Sequence, residues 1–222
     1  MVSRIRLAAL VLSVVMAVFG SVRLGAQNPS RHGRLFPPQD LGLLESPDRD
    51  LWQLPGQIMD ALGVAEGTVV ADLGAGGGWF TIRLARRVGP NGKVYAEDIQ
   101  RLTLAANERR LTREGLRNVE TVLGAESDPR LPAGAIDAVL MVDTYHEITE
   151  PVPLLQNVMK SLKPGGRLGV VGFKSDGLGP GPPMDERVDP DQIVRDAAQA
   201  GLKLARRETF LPYQYFLIFV RR

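Results

Sequence analysis

The sequence predicts an α/β domain on a doubly wound, mostly parallel seven-stranded sheet that closes with a C-terminal antiparallel hairpin. Three observations carry this expectation. From Val69 onward, short apolar runs alternate with stretches of helical spacing, the pattern of a parallel sheet wound with helices. The first run ends in an acid and opens into Gly74-Ala75-Gly76-Gly77-Gly78. The last two runs are joined by so few residues, Leu211-Pro212-Tyr213, that they must be antiparallel.

In chain order, residues 1–26 read as a signal peptide or N-terminal anchor rather than as part of the fold. Arg4 and Arg6 precede a run from Leu7 to Phe19, Gly20-Ser21 follow, and Leu24-Gly25-Ala26 offers a cleavage site. The run is shorter than the roughly 20 residues a comfortable span needs. The arginine bias places the globular part outside the cytoplasm. Residues 27–50, rich in proline and charge and without a period, read as an extended arm or linker, and residues 51–222 as the domain. A helix follows Ser46-Pro47, with Leu51, Leu54, Ile58, Met59 and Leu62 on one face, and bends at or begins after Pro55.

Strands are expected at Val69 to Asp72, Lys93 to Asp98, Val119 to Leu123, Ala138 to Asp143 and Arg167 to Phe173, with helices between them. Gly115 suits the left-handed position after a helix from about Arg101 to Glu114. Leu154, Leu155, Val158, Met159 and Leu162 fall at helical spacing, and Lys163-Pro164-Gly165-Gly166 turns that helix into the fifth strand. Lys174 to Pro183 is too dense in glycine and proline for regular structure. A helix from about Pro190 to Ala200 then leads to the hairpin strands Leu204 to Phe210 and Gln214 to Val220.

Composition excludes several chemistries. There is no cysteine, so disulfides, thiolate metal sites and thiol nucleophiles are absent; His32 and His146 are the only imidazoles, and no metal site is expected. Without residues 1–26 the chain has 24 basic against 25 acidic residues, which is no nucleic-acid footprint.

The glycine-rich turn after an acid-terminated strand lets backbone approach a ligand closely, and the helix beyond it offers free N–H groups to an anionic end. About two dozen residues on, Glu97 and Asp98 end the second strand, where a carboxylate can accept hydrogen bonds from both ribose hydroxyls. A dinucleotide fingerprint fails, because counting from Gly74 and Gly76 places Trp79 at the third glycine. The residues instead match D-x-G-x-G-x-G through Asp72, Gly74, Gly76 and Gly78. With Asp98, the Leu162-Lys163-Pro164-Gly165-Gly166 turn and the terminal hairpin, the chain from about Leu51 onward resembles the class I S-adenosylmethionine-dependent methyltransferases, which have a Rossmann-like fold. The resemblance implies S-adenosylmethionine as cosubstrate, held at its methionine end by the turn from Asp72 to Gly78 and at its ribose by Asp98. It also implies an acidic residue near the adenine after the third strand, where Glu126 and Asp128 are available and Ala125 takes the place of the usual acid. Asp143, at the end of the fourth strand, joins the cofactor-facing set.

Within Asp143-Thr144-Tyr145-His146-Glu147 the candidate catalytic residue is His146, a general base for an oxygen or nitrogen acceptor. The arm before Leu51 and the loop from Lys174 to Pro183 are the expected acceptor-selecting elements, with Arg49 and Trp52 placed to close over the pocket. The expected activity is methyl transfer to a small molecule. Two alternatives are a non-catalytic exported binding protein on the same fold and a nicotinamide-dependent oxidoreductase. An exported location is in tension with a cosubstrate made in the cytoplasm.

Overall fold

The computed structural model describes residues 34–222; the signal-like segment, the start of the arm and His32 lie outside the described residues. The strands are β1 (Val69–Leu73), β2 (Lys93–Asp98), β3 (Val119–Leu123), β4 (Ile136–Val142), β5 (Leu162–Phe173), β6 (Leu202–Glu208) and β7 (Gln214–Arg221). They form one seven-stranded sheet in the order β3-β2-β1-β4-β5-β7-β6. The first five are parallel, and β7 inserts antiparallel between β5 and β6. This is the predicted sheet.

The helices are α1 (Arg49–Gln53), α2 (Pro55–Leu62), α3 (Trp79–Val88), α4 (Arg101–Arg113), α5 (Pro151–Ser161) and α6 (Pro190–Gln199). Both faces of the sheet are covered, so strand residues alternate between two cores. Val139, Met141 and Val170 pack with Leu155 and Val158 of α5 and Ile193 of α6. Their neighbours Ala138, Leu140 and Val171 pack on the other side with Ile58 and Leu62 of α2 and Leu84 of α3.

The structure departs from the sequence reading in three places, each for a local reason. The helix expected after Pro47 is two helices: Leu54 takes a left-handed conformation, φ 48 and ψ 54, and Pro55 starts α2. Proline disfavours a helical residue before it and needs no N–H partner in a first turn. The break re-aims α1, so Gln53 is buried and Leu51, expected on the apolar face, is 79% exposed. The turn at Lys163-Pro164-Gly165-Gly166 is absorbed into the start of β5, where Leu162 already pairs with Ile136 and the register then shifts before Ala138. The arm contains a 3-10 helix, Pro38–Leu44, where no regular structure was expected.

The consequence for function is positional. β1 has β2 on one side and β4 on the other, and the chain runs to opposite sides of β1 in reaching them, so the crevice where open α/β sheets bind ligands lies at the C-terminal ends of these three strands. Fully buried Phe216 of β7 fills the core behind it. Phe216→Ala is expected to destabilise the protein by about 3–5 kcal/mol in urea unfolding, the range for deleting a buried ring; a loss below about 1 kcal/mol would show that this core does not hold the sheet.

Candidate active site

One cavity of about 690 Å³ occupies that crevice, within the range of small-molecule sites. Of the residues singled out from sequence, Asp72, Gly74, Gly76, Asp98, Glu126, Asp143 and His146 line it. Gly78 does not. It has φ +85 and caps α3 from behind, where a Cβ would lie 2.6 Å from Asn107 Oδ1, so glycine is required there by the turn and by helix packing.

The turn is held from below by the end of β2. The Gly76 N–H donates to Asp98 Oδ2 at 3.1 Å, the Gln100 N–H to Asp98 Oδ1 at 2.8 Å, and the Gly74 N–H to Glu97 Oε2 at 3.4 Å. Gly74 also needs to be glycine, because Thr144 fills the space a side chain would take. Asp72 is buried beside the turn and accepts from Thr81 Oγ1 at 2.6 Å. Glu126 is exposed at the cavity edge, with Thr149 Oγ1 3.5 Å from its carboxylate. Asp128 caps its own turn through the Arg130 N–H at 2.9 Å and is not part of the lining.

Asp143 has φ +53, a conformation that aspartate tolerates better than most residues. Gln214 Nε2 donates to its two oxygens at 2.8 and 2.9 Å, and Gln53 Nε2 approaches at 3.3 Å. These glutamines were not legible in the sequence as site residues. Gln53 is also the partner of Arg49, whose guanidinium stacks 4.1 Å from the centre of the Trp79 ring and donates to the Leu44 carbonyl at 2.6 Å. The arm is therefore tied to the floor of the cavity through α1. Gln100 Nε2 donates to the Phe36 carbonyl, Arg110 pairs with Glu45, and Leu41 covers Gly76 and Gly77.

On the other side Trp52 packs 5.8 Å from Phe173, and Pro180, Gly181, Pro182 and Pro183 complete the wall. That loop is irregular, as expected, and Arg187 orders it by donating to the carbonyls of Lys174 and Pro182 at 2.8 and 3.1 Å. Both elements expected to select the acceptor thus border the cavity.

Nine carboxylate side chains and two arginines line the cavity. Burial lifts Asp72 and Asp143 to about 6, despite the opposing charge of Arg49. Burial, reinforced by the neighbouring Asp98 charge, lifts Glu97 to about 8. Glu147 is raised to about 7 and Asp98 is also raised, again chiefly by burial. His146 is half-buried, with Nε2 3.9 Å from Glu147 Oε1.

A family model described as a methyltransferase domain matches residues 70–166. The ubiquinone/menaquinone biosynthesis C-methyltransferase of Pasteurella multocida is 36% identical over 129 residues, 55% of this chain and 46% of that protein. The chain spans about half the length of the curated relatives it matches. A SAM-dependent methyltransferase from Aquifex aeolicus superposes with a TM-score of 0.79 at 28% identity, covering 83% of this chain and 98% of that one. The phosphoethanolamine N-methyltransferase 2 of Haemonchus contortus, solved with phosphomonomethylethanolamine and S-adenosylhomocysteine, shares the fold. Its TM-score is 0.63 at 16% identity, over 77% of this chain and 52% of that one.

Residues 70–166 thus match a methyltransferase domain, on a fold shared with S-adenosylmethionine-dependent methyltransferases. The cosubstrate is S-adenosylmethionine. The nicotinamide alternative is set aside, since the buried indole of Trp79 stands where the third glycine of that fingerprint belongs.

The cavity fits the cosubstrate on three counts. Its excess of acid suits a ligand carrying a sulfonium and an ammonium group, Gly74 to Gly77 leave backbone open to it, and the buried Thr103 Oγ1 in the lining has no protein partner.

The raised carboxyl groups have a consequence for stability. Glu97 goes from 4.5 to about 8 on folding, and Asp72 and Asp143 from 3.8 to about 6. The stability each contributes is present below its unfolded value and is lost as pH rises through its folded value. The melting temperature of the ligand-free protein is therefore expected to fall between about pH 4 and about pH 8, and Glu97→Gln to flatten the upper part of that fall. A melting temperature that is constant or rises over this window contradicts the burial of these acids.

Proposed function

We propose that this protein transfers a methyl group from S-adenosylmethionine to a small-molecule acceptor, with Asp98 binding the ribose and His146 acting as general base. The observation that carries this reading is that one acid-rich cavity collects the glycine turn, Asp98 and His146 at the C-terminal ends of β1, β2 and β4.

The cosubstrate supplies an electrophilic methyl on a sulfonium, with a neutral thioether as leaving group. Much of the barrier to such a displacement falls to alignment, for which positioning supplies about 7–11 kcal/mol. The chain's own residues serve that end. The glycine turn and the N-terminus of α3 receive the methionine part, with Arg49 beside them as a counter-charge for its carboxylate. Asp98, already oriented by the N–H groups of Gly76 and Gln100, keeps lone pairs for hydroxyl donors. Asp72, Glu126 and Asp143 complete the cosubstrate side, the last of these clamped by Gln53 and Gln214. Arm and loop exclude water from the acceptor side, where His146 accepts the proton that an oxygen or nitrogen acceptor must lose. Glu147 beside it, raised toward neutrality by burial, is suited to share that proton.

The acceptor reading is supported by the small-molecule scale of the cavity and by relatives whose names place them in quinone biosynthesis and phosphoethanolamine methylation. Residues 1–26 support an exported or N-terminally anchored protein. Fractionation of the native host tests the location, and a mature cytoplasmic protein retaining Met1 would refute it.

Calorimetry tests the site. Asp98→Ala is expected to weaken S-adenosylmethionine binding by about 10–100-fold, the value of hydrogen bonds to a charged group; unchanged affinity would remove Asp98 from the site. His146→Ala is expected to leave that affinity intact and to lower turnover, in an acceptor screen, by about 10²–10⁴-fold. Full turnover by the folded variant would assign His146 to the cavity wall alone.

A further inference from the structure

Seven large apolar side chains stand exposed among the described residues, and three of them line the large cavity. Leu35, Leu43 and Leu44 of the arm line it themselves. Leu51 precedes the lining residue Trp52 in sequence, Leu102 lies on α4 beside the buried Thr103, Leu178 lies on the loop that contributes Pro180 to Pro183, and Met184 follows that loop. Two are nearly as accessible as an unfolded chain would leave them, Leu43 at 77% and Leu51 at 79%. Isolated exposed leucines are ordinary on a protein surface. The gathering of six of them on the arm, α1 and the loop segment that supply the cavity's walls is not, and contiguous apolar surface marks an interaction site.

The sequence outside the described residues indicates the occupant. Residues 1–33 join the domain at Arg34, itself a lining residue, and they carry the apolar run Leu7 to Phe19. Only residues 20–33 separate that run from the collar, a reach of at most about 50 Å at 3.3–3.6 Å per residue. None of the described helices is long and apolar enough to cross a membrane.

We propose that the apolar collar of Leu35, Leu43, Leu44, Leu51, Leu178 and Met184 docks the cavity end of the domain onto a lipid bilayer. Aliphatic side chains inserted at the interface gain burial without needing hydrogen-bond partners. Docking in this orientation opens the cavity toward the lipid phase and turns the N-terminal ends of the strands to water.

The absence of cysteine makes a direct test available. Full-length Leu51→Cys and Leu178→Cys, each labelled with an environment-sensitive fluorophore, are mixed with phosphatidylcholine vesicles. Glu66→Cys, exposed ahead of β1 at the opposite end of the sheet, serves as the reference. A blue shift with about a twofold or greater gain in emission at the two collar sites, and none at the reference, is the expected result.

Equal responses at all three sites, or none at any, would overturn the proposal; because residues 1–33 attach at the cavity end, a shift at Leu178→Cys that is left unchanged by Leu43→Ser with Leu51→Ser would overturn it as well, in favour of tethering alone. A shift at the collar that grows with protein concentration without vesicles would overturn it in favour of a second copy of this chain. The proposal rests on the methyltransferase reading only for the meaning of the cavity. Calorimetry with S-adenosylmethionine on the same labelled proteins separates failure of docking from failure of the site.

Discussion

The constraint on which this site depends is the crowding of buried carboxylates at the ends of three adjacent parallel strands. Asp72 is the penultimate residue of β1, Glu97 and Asp98 end β2, and Asp143 follows β4. Burying a charge costs heavily unless it is paired, and a group that finds no partner shifts its pKa instead. The raised values of Asp72, Glu97 and Asp143 express that cost. Arg49 offsets part of it and is itself lowered by burial. The sign of the cluster suits a cationic ligand.

The same crowding explains the polar scaffolding around the cavity. Gln53 and Gln214 reach Asp143 from α1 and β7, elements far apart in sequence, because an amide can satisfy a carboxylate oxygen without adding charge. The backbone N–H groups of Gly74, Gly76 and Gln100 do the same for Glu97 and Asp98. Each of these bonds ties a turn, the arm or the terminal hairpin to the strand ends, so the network that tolerates the acids also fixes the cavity's shape. The ring of Trp79 between this network and the core carries the guanidiniums of Arg49 and Arg83 at 4.1 and 3.5 Å.

Most of the sheet was legible because parallel strands buried on both faces leave unmistakable apolar runs, and because Leu211-Pro212-Tyr213 permits only one direction for the last strand pair. The glycine turn and Asp98 were legible for a similar reason: backbone that approaches a ligand closely needs glycine, and glycine is visible in a sequence. Gln53, Gln214 and Thr103 were not, since their roles arise only when distant segments meet. The arm was read as a linker because a 3-10 helix such as Pro38–Leu44 has no amphipathic period to detect. Leu51 was misplaced because the spacing runs on past Pro55, while the left-handed Leu54 turns α1 out of register with α2. Gly78 matched its motif, but it serves the turn and the packing of α3 on Asn107.

The central claim is that this acid cluster is the counter-charge for a cationic cosubstrate. It is tested most directly by the protons released on binding, measured by calorimetry near neutral pH in buffers of different ionisation enthalpy, for S-adenosylmethionine and for S-adenosylhomocysteine. The two ligands differ at the sulfur, a sulfonium in one and a neutral thioether in the other. The account predicts that S-adenosylmethionine binds with the larger proton release, as carboxyls raised to between about 6 and about 8 ionise beside the added charge. Equal proton release for the two ligands, or proton uptake on binding S-adenosylmethionine, would contradict it.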